Sequence, residues 1–193
     1  MSRVLVIDDH DPSRNNLVSI LRNSGYEVVG EGTTGAIGLA LAATTAPDIT
    51  LMAVGLPDID GIRAARKIMQ AHSHAIVLLT SHNDKATIDR AARAGLMGYL
   101  VKPLREGELR PAIELAIARF QEFVTLQKEN ENLKKTLGAR KIIERAKGIL
   151  MESQRLTEAD AFALIQRKSM DTRKPMAEIA QAIVLAREVA RRS

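Results

Sequence analysis

The sequence predicts an α/β fold, a doubly wound five-stranded parallel sheet, followed by a helical connector and an all-α three-helix domain. Three observations lead there. Over the first 120 residues, short apolar runs alternate five times with amphipathic stretches. From about Ala116 onward the pattern becomes wholly helical. Charge divides along the same line: residues 1–120 hold 13 Lys/Arg against 13 Asp/Glu, and residues 121–193 hold 15 against 10. The expected organisation is a first domain over 1–120, a connector over 121–138 and a helical domain over 139–193.

The apolar runs are Val4–Ile7, Val28–Val29, Ile49–Ala53, Ile76–Thr80 and Gly98–Val101. Most are four or five residues rich in Val, Ile and Leu, as expected of strands buried on both faces of a parallel sheet. Helical spacing separates them over Pro12–Asn23, Thr34–Thr45, Asp60–Ala71 and Asp84–Ala94, and a fifth helix begins at Arg105–Phe120. Repeated strand–helix alternation implies an open parallel sheet with helices on both faces. In the connector, Phe123, Asn130 and Leu137 fall at one heptad core position and Leu126 and Leu133 at the other. That pattern gives a short coiled-coil seam, and Asn at such a position favours one register and a parallel dimer. A helix packed on its own chain fits the same short pattern. Beyond it, Ala139–Ser153 continues as helix. Thr157 is an N-cap with Glu158 and Asp160 in the first turn, residues 171–175 form a turn, and Pro175 opens the last helix at Met176–Ala190.

Composition narrows the function classes. The chain is 46% hydrophobic but only 3% aromatic, without Trp, so its core is built from Ala, Val, Ile and Leu. It has no Cys, which excludes disulfides and thiolate metal sites. No apolar run approaches the roughly 18 residues of a membrane span. The acids directly after the first apolar run are unlike a signal peptide, so the expected location is cytoplasmic and no membrane partner is expected. His10, His72, His74 and His82 are scattered, and there is neither a nucleophile–base pair nor a Walker-type loop, so no enzymatic activity is expected. The positive second half suits a polyanion partner; an ordinary solvated helical surface would look the same.

Ligands of open parallel sheets bind beyond the C-terminal strand ends. The first strand ends in Asp8-Asp9, the third in Ala53, the fourth in Thr80-Ser81 and the fifth in Lys102-Pro103. Paired carboxylates suit a hard cation such as Mg²⁺, and a hydroxyl and an ammonium suit the oxygens of a phosphoryl group. Each residue alone has a plainer explanation, a helix cap or an ion pair; the combination is more specific.

Val-Leu-Val-Ile-Asp-Asp-His (4–10), Leu-Pro-Asp-Ile-Asp-Gly (56–61), Leu-Leu-Thr-Ser (78–81) and Gly-Tyr-Leu-Val-Lys-Pro (98–103) resemble the receiver domain of bacterial two-component response regulators. The resemblance implies a flavodoxin-like sheet with strand order 2-1-3-4-5 and phosphotransfer from a partner histidine kinase to an Asp at the end of strand three. It assigns Asp8 and Asp9 to Mg²⁺, Thr80 and Lys102 to the phosphoryl group, Tyr99 to an aromatic that moves on activation, and Lys102-Pro103 to a cis peptide. The chain departs from the pattern at one point: Ala53 stands where the family has its phosphoacceptor. A methyl group neither attacks phosphorus nor ligates a cation, so phosphorylation at this position is lost and Mg²⁺ binding is weakened. A deliberate replacement and a natural loss both give this pattern.

Ile-Ile-Glu-Arg-Ala-Lys-Gly-Ile-Leu-Met-Glu (142–152), Ala-Asp-Ala-Phe-Ala-Leu-Ile-Gln-Arg-Lys-Ser-Met-Asp (159–171) and Ile-Ala-Gln-Ala-Ile-Val (179–184) resemble the ANTAR domain, a three-helix RNA-binding module of transcription antitermination. The resemblance implies a homodimer that grips paired RNA hairpin loops when active. Lys147, Arg167, Lys168, Arg173 and Lys174 suit phosphates, and Ala146, Gly148, Gln166 and Ser169 suit close approach to loop bases. Ala146, Ala161 and Phe162 sit at core spacing and are expected to pack the bundle, with Phe162 as a base-stacking platform the lesser reading. A DNA-binding regulator using the last helix, or a protein-interaction module dimerising through the connector, are the alternatives; the last helix is mostly Ala, Ile and Val, poor for reading bases.

Overall fold

A computed structural model describes residues 1–81 and 85–190. His82 and Asp84, the latter the expected start of the fourth helix, lie outside the described residues. The chain divides into two compact units, Met1–Val124 and Thr125–Ser193.

The first unit alternates β1 (Arg3–Ile7), α1 (Asp11–Asn23), β2 (Glu27–Gly32), α2 (Gly35–Thr45), β3 (Ile49–Ala53), α3 (Gly61–Ala71), β4 (Ala75–Thr80), α4 (Lys85–Arg93) and β5 (Gly98–Val101). The five strands form one parallel sheet in the order β2-β1-β3-β4-β5. Strand alternation splits the core in two. Val4, Val6, Ile49, Leu51, Val77 and Leu79 face α1 and the start of α5 (Glu106–Gln154), through Leu17, Leu21, Leu109 and Ile113. Leu5, Ile7, Met52, Ile76 and Leu78 face the other way, onto Ala42, Ile62, Ala65, Ile68 and Ala91 of α2, α3 and α4. β2 is longer than its two-Val signal because it is an edge strand: it is only partly buried, so polar residues and glycines carry the rest of it.

Side chains close the helix ends, and Thr34 and Asp60, expected as first helical residues, are N-caps just outside α2 and α3. Thr34 Oγ1 accepts from Ile37 N at 3.1 Å, and Asp60 Oδ1 accepts from Ile62 N at 2.9 Å. Asp58 bridges two elements, its carboxylate accepting from Gly35 N and Ala36 N at 2.8 Å each. Desolvation alone would raise its pKa, but these backbone hydrogen bonds from Ala36 and Gly35, with those from Ile59 and its own N–H, outweigh it and hold the carboxyl below its ordinary value.

The expected fifth helix, the connector and the first helix of the C-terminal domain are one continuous helix, α5, of 49 residues with Pro111 inside it. In the second unit the end of α5 packs with α6 (Glu158–Thr172) and α7 (Met176–Ala190) around Ala146, Leu150, Ala161, Ile165, Ala180 and Val184. Three of these six are alanines, which let helix backbones approach closely. Thr157 Oγ1 accepts from Asp160 N at 3.2 Å as the N-cap of α6, and Arg173 ends that helix in the left-handed region at φ 55°. Pro175 precedes α7, and its carbonyl accepts from Glu178 N at 2.9 Å.

Candidate functional site

The order of strands reverses direction of growth between β1 and β3, and such switch points leave a crevice at the strand ends. Here the register sets Ile7 beside Met52, Ala53 beside Leu79, and Thr80 beside Val101. The strands therefore end level, and the residues just after them meet. A cleft of about 810 Å³ opens there, lined among others by Asp9, Ala53, Thr80, Ser81, Thr87 and Lys102. Four of the residues singled out from separate strand ends, Asp9, Ala53, Thr80 and Lys102, thus share one wall.

Asp8 lies behind this wall, 0% exposed. Its Oδ2 is 2.5 Å from Lys102 Nζ, its Oδ1 accepts from His10 N at 3.2 Å, and its carbonyl accepts from Arg14 Nη1 at 2.8 Å. A buried carboxylate is tolerated only with such partners. Lys102 is itself positioned by its backbone, which donates to Thr80 O at 2.8 Å, and its peptide bond to Pro103 is cis. The loop after β3 is held equally closely: Gly61 N donates to Val54 O at 2.8 Å, and a Cβ on Gly61 would sit 1.9 Å from Ala53 O. Only glycine fits there.

The donor set falls short of a complete Mg²⁺ site. Asp8 spends its carboxylate on Lys102 and His10, Asp9 is exposed at the cleft, and Ala53 presents a methyl group. Among the described residues no group of three or more His, Cys, Asp or Glu is placed to hold a metal. Tyr99 is exposed and, with Val54, Thr80, Thr87 and Ala91, lines a small cavity beside the cleft.

In the second unit the residues expected to meet RNA separate into two groups. Gln166, Arg167, Lys168, Arg173 and Lys174 are exposed. Ser169 is half-buried and donates its hydroxyl to Lys174 O, closing the α6–α7 turn. Ala146 is 0% exposed in the core and does not reach a ligand. Lys147 corrects the expectation of a phosphate contact. It is 7% exposed, and its Nζ sits 2.9 Å from Glu144 Oε2 and 2.7 Å from Glu158 Oε1. Its ammonium is already compensated, and the hydrogen bonds that it donates to Glu144, the larger effect, and to Glu158 raise its pKa. Phe162 corrects the expectation that it packs the bundle: it is 42% exposed on α6, outside the hydrophobic core. Core spacing alone did not separate it from Ala161 and Ile165, which do pack. Sequence reasoning also passed over Gly138, Lys135, Lys141, Arg145 and Arg187, which line concave surface between α5 and α7. The signal available was two glycines inside a long helix.

A sheet of this order with an acid pair, a hydroxyl and a lysine at its strand ends, followed by a basic three-helix unit, defines a two-part signalling regulator. The family "Response regulator receiver domain" matches residues 4–114, and the "ANTAR domain" matches residues 131–184. The chain belongs to the response regulators that carry an ANTAR domain after the receiver. It is 42% identical over 182 residues to the transcriptional regulatory protein PdtaR of Mycobacterium tuberculosis, covering 94% of this chain and 89% of that protein. It is 36% identical over 120 residues to the response regulator GacA of Pseudomonas viridiflava, covering 61% of this chain and 56% of GacA. Among solved structures it resembles a LuxR-family two-component response regulator from Aurantimonas sp. SI85-9A1, with TM-score 0.57 and 35% identity over 61% of this chain and 86% of that one. The signal receiver domain of a modulated diguanylate cyclase from Desulfovibrio desulfuricans G20 gives TM-score 0.59 and 30% identity over 63% of this chain and 97% of that one.

Proposed function

We propose that this chain is an RNA-binding regulator of transcription antitermination whose receiver has lost its phosphoryl input. The carrying observation is the strand-end cleft. Asp9, Thr80 and Lys102 line it as a phosphoryl site requires, while the wall position at the end of β3 is Ala53, with no oxygen to accept a phosphoryl group. Asp9 is the carboxylate on the cleft wall, and Asp8 could join it on Mg²⁺ only by giving up Lys102; without a third carboxylate at position 53 the ion binds weakly. A histidine kinase docks on the receiver without transferring phosphate to position 53. Tyr99 and Thr80, on the walls of one cavity, form the switch pair that would answer a phosphoryl group. The domains assign as a receiver over 1–120, a connector over 121–138 and an ANTAR domain over 139–193, and the location as the cytoplasm; among the described residues no helix is long and apolar enough to cross a membrane.

In the output unit, Gln166, Arg167, Lys168, Arg173 and Lys174 present an exposed, mostly basic surface to RNA, and the exposed ring of Phe162 becomes the platform on which an unpaired loop base stacks. Phe123, Leu126, Leu133 and Leu137 of α5 are all exposed, which fits a heptad seam that a second copy covers, with Asn130 setting its register. A mobility-shift assay with a two-hairpin RNA, a duplex DNA of the same sequence and a scrambled RNA tests the reading. Selective binding of the two-hairpin RNA supports it; preference for the duplex would make the protein a DNA-binding regulator, and binding to none would leave an interaction module.

A further inference from the structure

Two concave surfaces join at Arg145 along the seam between α5 and α7. The larger, of about 580 Å³, is lined among others by Lys135, Gly138, Lys141 and Arg145 of α5 and by Glu178 and Gln181 of α7. The smaller, of about 220 Å³, continues along both helices to Gly148 and Glu152 of α5 and Val184, Arg187 and Glu188 of α7. The two form one groove, in which Gly138 and Gly148 are about 15 Å apart along the helix.

Both glycines are unexplained by the chain itself. Gly138 and Gly148 lie inside α5, where glycine is disfavoured relative to alanine. Neither has a positive φ, and a Cβ built on either meets nothing within 4 Å. Packing and backbone conformation would therefore both accept alanine. The heptad that places Leu137 at a core position puts Gly138 one step outside the seam, so a coiled-coil partner does not need the space either. What remains is close approach by a ligand that is not part of this chain.

The groove's charges indicate which ligand. Arg145 is paired with Glu188 at 2.8 Å, but Lys135, Lys141 and Arg187 have no carboxylate within ion-pair distance among the described residues. Arg187 Nε is buried with no hydrogen-bond partner, the one such side-chain atom among the described residues. A buried guanidinium N–H left unpaired is costly, and an anionic oxygen would satisfy it. Against these cations stand Glu152 and Glu178.

We propose that the α5–α7 groove seats a sugar–phosphate strand of RNA, which passes over Gly138 and Gly148 and is held by Lys135, Lys141 and Arg187. This rests on the RNA-binding reading above and adds a second contact surface to it; Arg167, Lys168, Arg173 and Lys174 do not line the groove.

The test uses the full chain, a fluorescein-labelled two-hairpin RNA, and four variants: Gly138→Ala/Gly148→Ala, Gly148→Gln, Lys141→Gln and Arg187→Gln. Fluorescence anisotropy is read from 50 to 200 mM salt, and melting temperature is measured for each protein. The double alanine variant is expected to melt several degrees higher yet bind RNA at least fivefold more weakly, a combination that a structural role for the glycines does not give. Gly148→Gln should weaken binding at least tenfold. Arg187→Gln and Lys141→Gln should each make the salt dependence shallower, by about 0.7 for each single-strand phosphate that is no longer neutralised. Wild-type binding with unchanged affinity in all four variants would overturn the groove and leave the RNA-binding reading standing. Weaker binding with a lower melting temperature in both glycine variants would place the glycines in the fold and overturn it too. Absence of wild-type binding at 50 mM salt removes both readings together. Duplex DNA of the same sequence is expected to compete poorly at 150 mM salt; equal competition would overturn the assignment to RNA.

Discussion

Lys102 Nζ and Asp8 Oδ2 are 2.5 Å apart across the ends of β5 and β1, with Asp8 fully buried and the Lys102 side chain 17% exposed. Lys102 is the cation that compensates the buried Asp8 carboxylate. Removing one partner leaves the other charge buried and uncompensated, which costs far more than a surface ion pair. Lys102→Gln should destabilise the first unit by about 3 kcal/mol, and adding Asp8→Asn should recover part of that loss. Urea titrations of the two variants and the wild type measure both quantities; equal stability of all three would show the pair to be inert.

Gly61 reports on the geometry next to Ala53. Its absent Cβ would lie 1.9 Å from Ala53 O, a backbone atom that cannot move without disturbing β3. Gly61→Ala should therefore cost about 3 kcal/mol or more, at the upper end of overpacking effects. Thermal melts check this, with Gly55→Ala, where a Cβ meets nothing within 4 Å, as the comparison expected to stay near wild type.

His74 makes stability depend on pH. It is buried with its Nε2 2.8 Å from Thr50 Oγ1. Desolvation, reinforced by the nearby His72 and opposed by Asp48, pushes its pKa down to about 4 from 6.5. The folded state keeps the ring neutral while the unfolded chain takes up a proton below about pH 6.5. Stability from this group is thus intact above about pH 6.5, falls progressively toward about pH 4, and levels off below that. The full loss is about 3 kcal/mol. His74→Gln should flatten this part of the profile in denaturation curves taken from pH 7.5 to 4.5; an unchanged slope would assign it to other groups.

Lys147 and Phe162 should behave in opposite ways. Lys147 ties α5 to the first turn of α6 through Glu158, so Lys147→Gln should lower the melting temperature and leave the salt dependence of RNA binding unchanged. Phe162 is outside the core, so Phe162→Ala should leave stability within about 0.5 kcal/mol and weaken RNA binding by about 1–3 kcal/mol, the worth of one stacked base. The reverse pattern in calorimetry and anisotropy would restore Lys147 to the RNA surface and Phe162 to the core.

The central strands were legible because burial on both faces forces continuous apolar runs; Ile49–Ala53 has the same bounds in the sequence pattern and the structure. Gly98–Val101, at the β5 edge and only partly buried, kept an apolar run and matches as well. β2 was half hidden because an edge strand needs fewer apolar residues. The convergence of Asp9, Thr80 and Lys102 followed from parallel topology alone, since strand ends that share a register share a cleft. The pairing of Lys147 was not legible. A lysine at helical spacing looks the same whether it meets solvent or two glutamates, and the choice depends on where α6 begins relative to α5. Phe162 was misplaced for a related reason. Periodicity marks a face of about 100°, and Phe162 lies at the margin of the one that Ala161 and Ile165 occupy.

The most direct test of an RNA-binding output uncoupled from phosphorylation is RNA affinity with and without acetyl phosphate and Mg²⁺, for the wild type and for Ala53→Asp. The wild type is expected to bind with the same dissociation constant in both conditions, while Ala53→Asp incorporates phosphate and binds more tightly with the donor. A donor-dependent gain in wild-type affinity, or an Ala53→Asp variant that acquires no label, would contradict it.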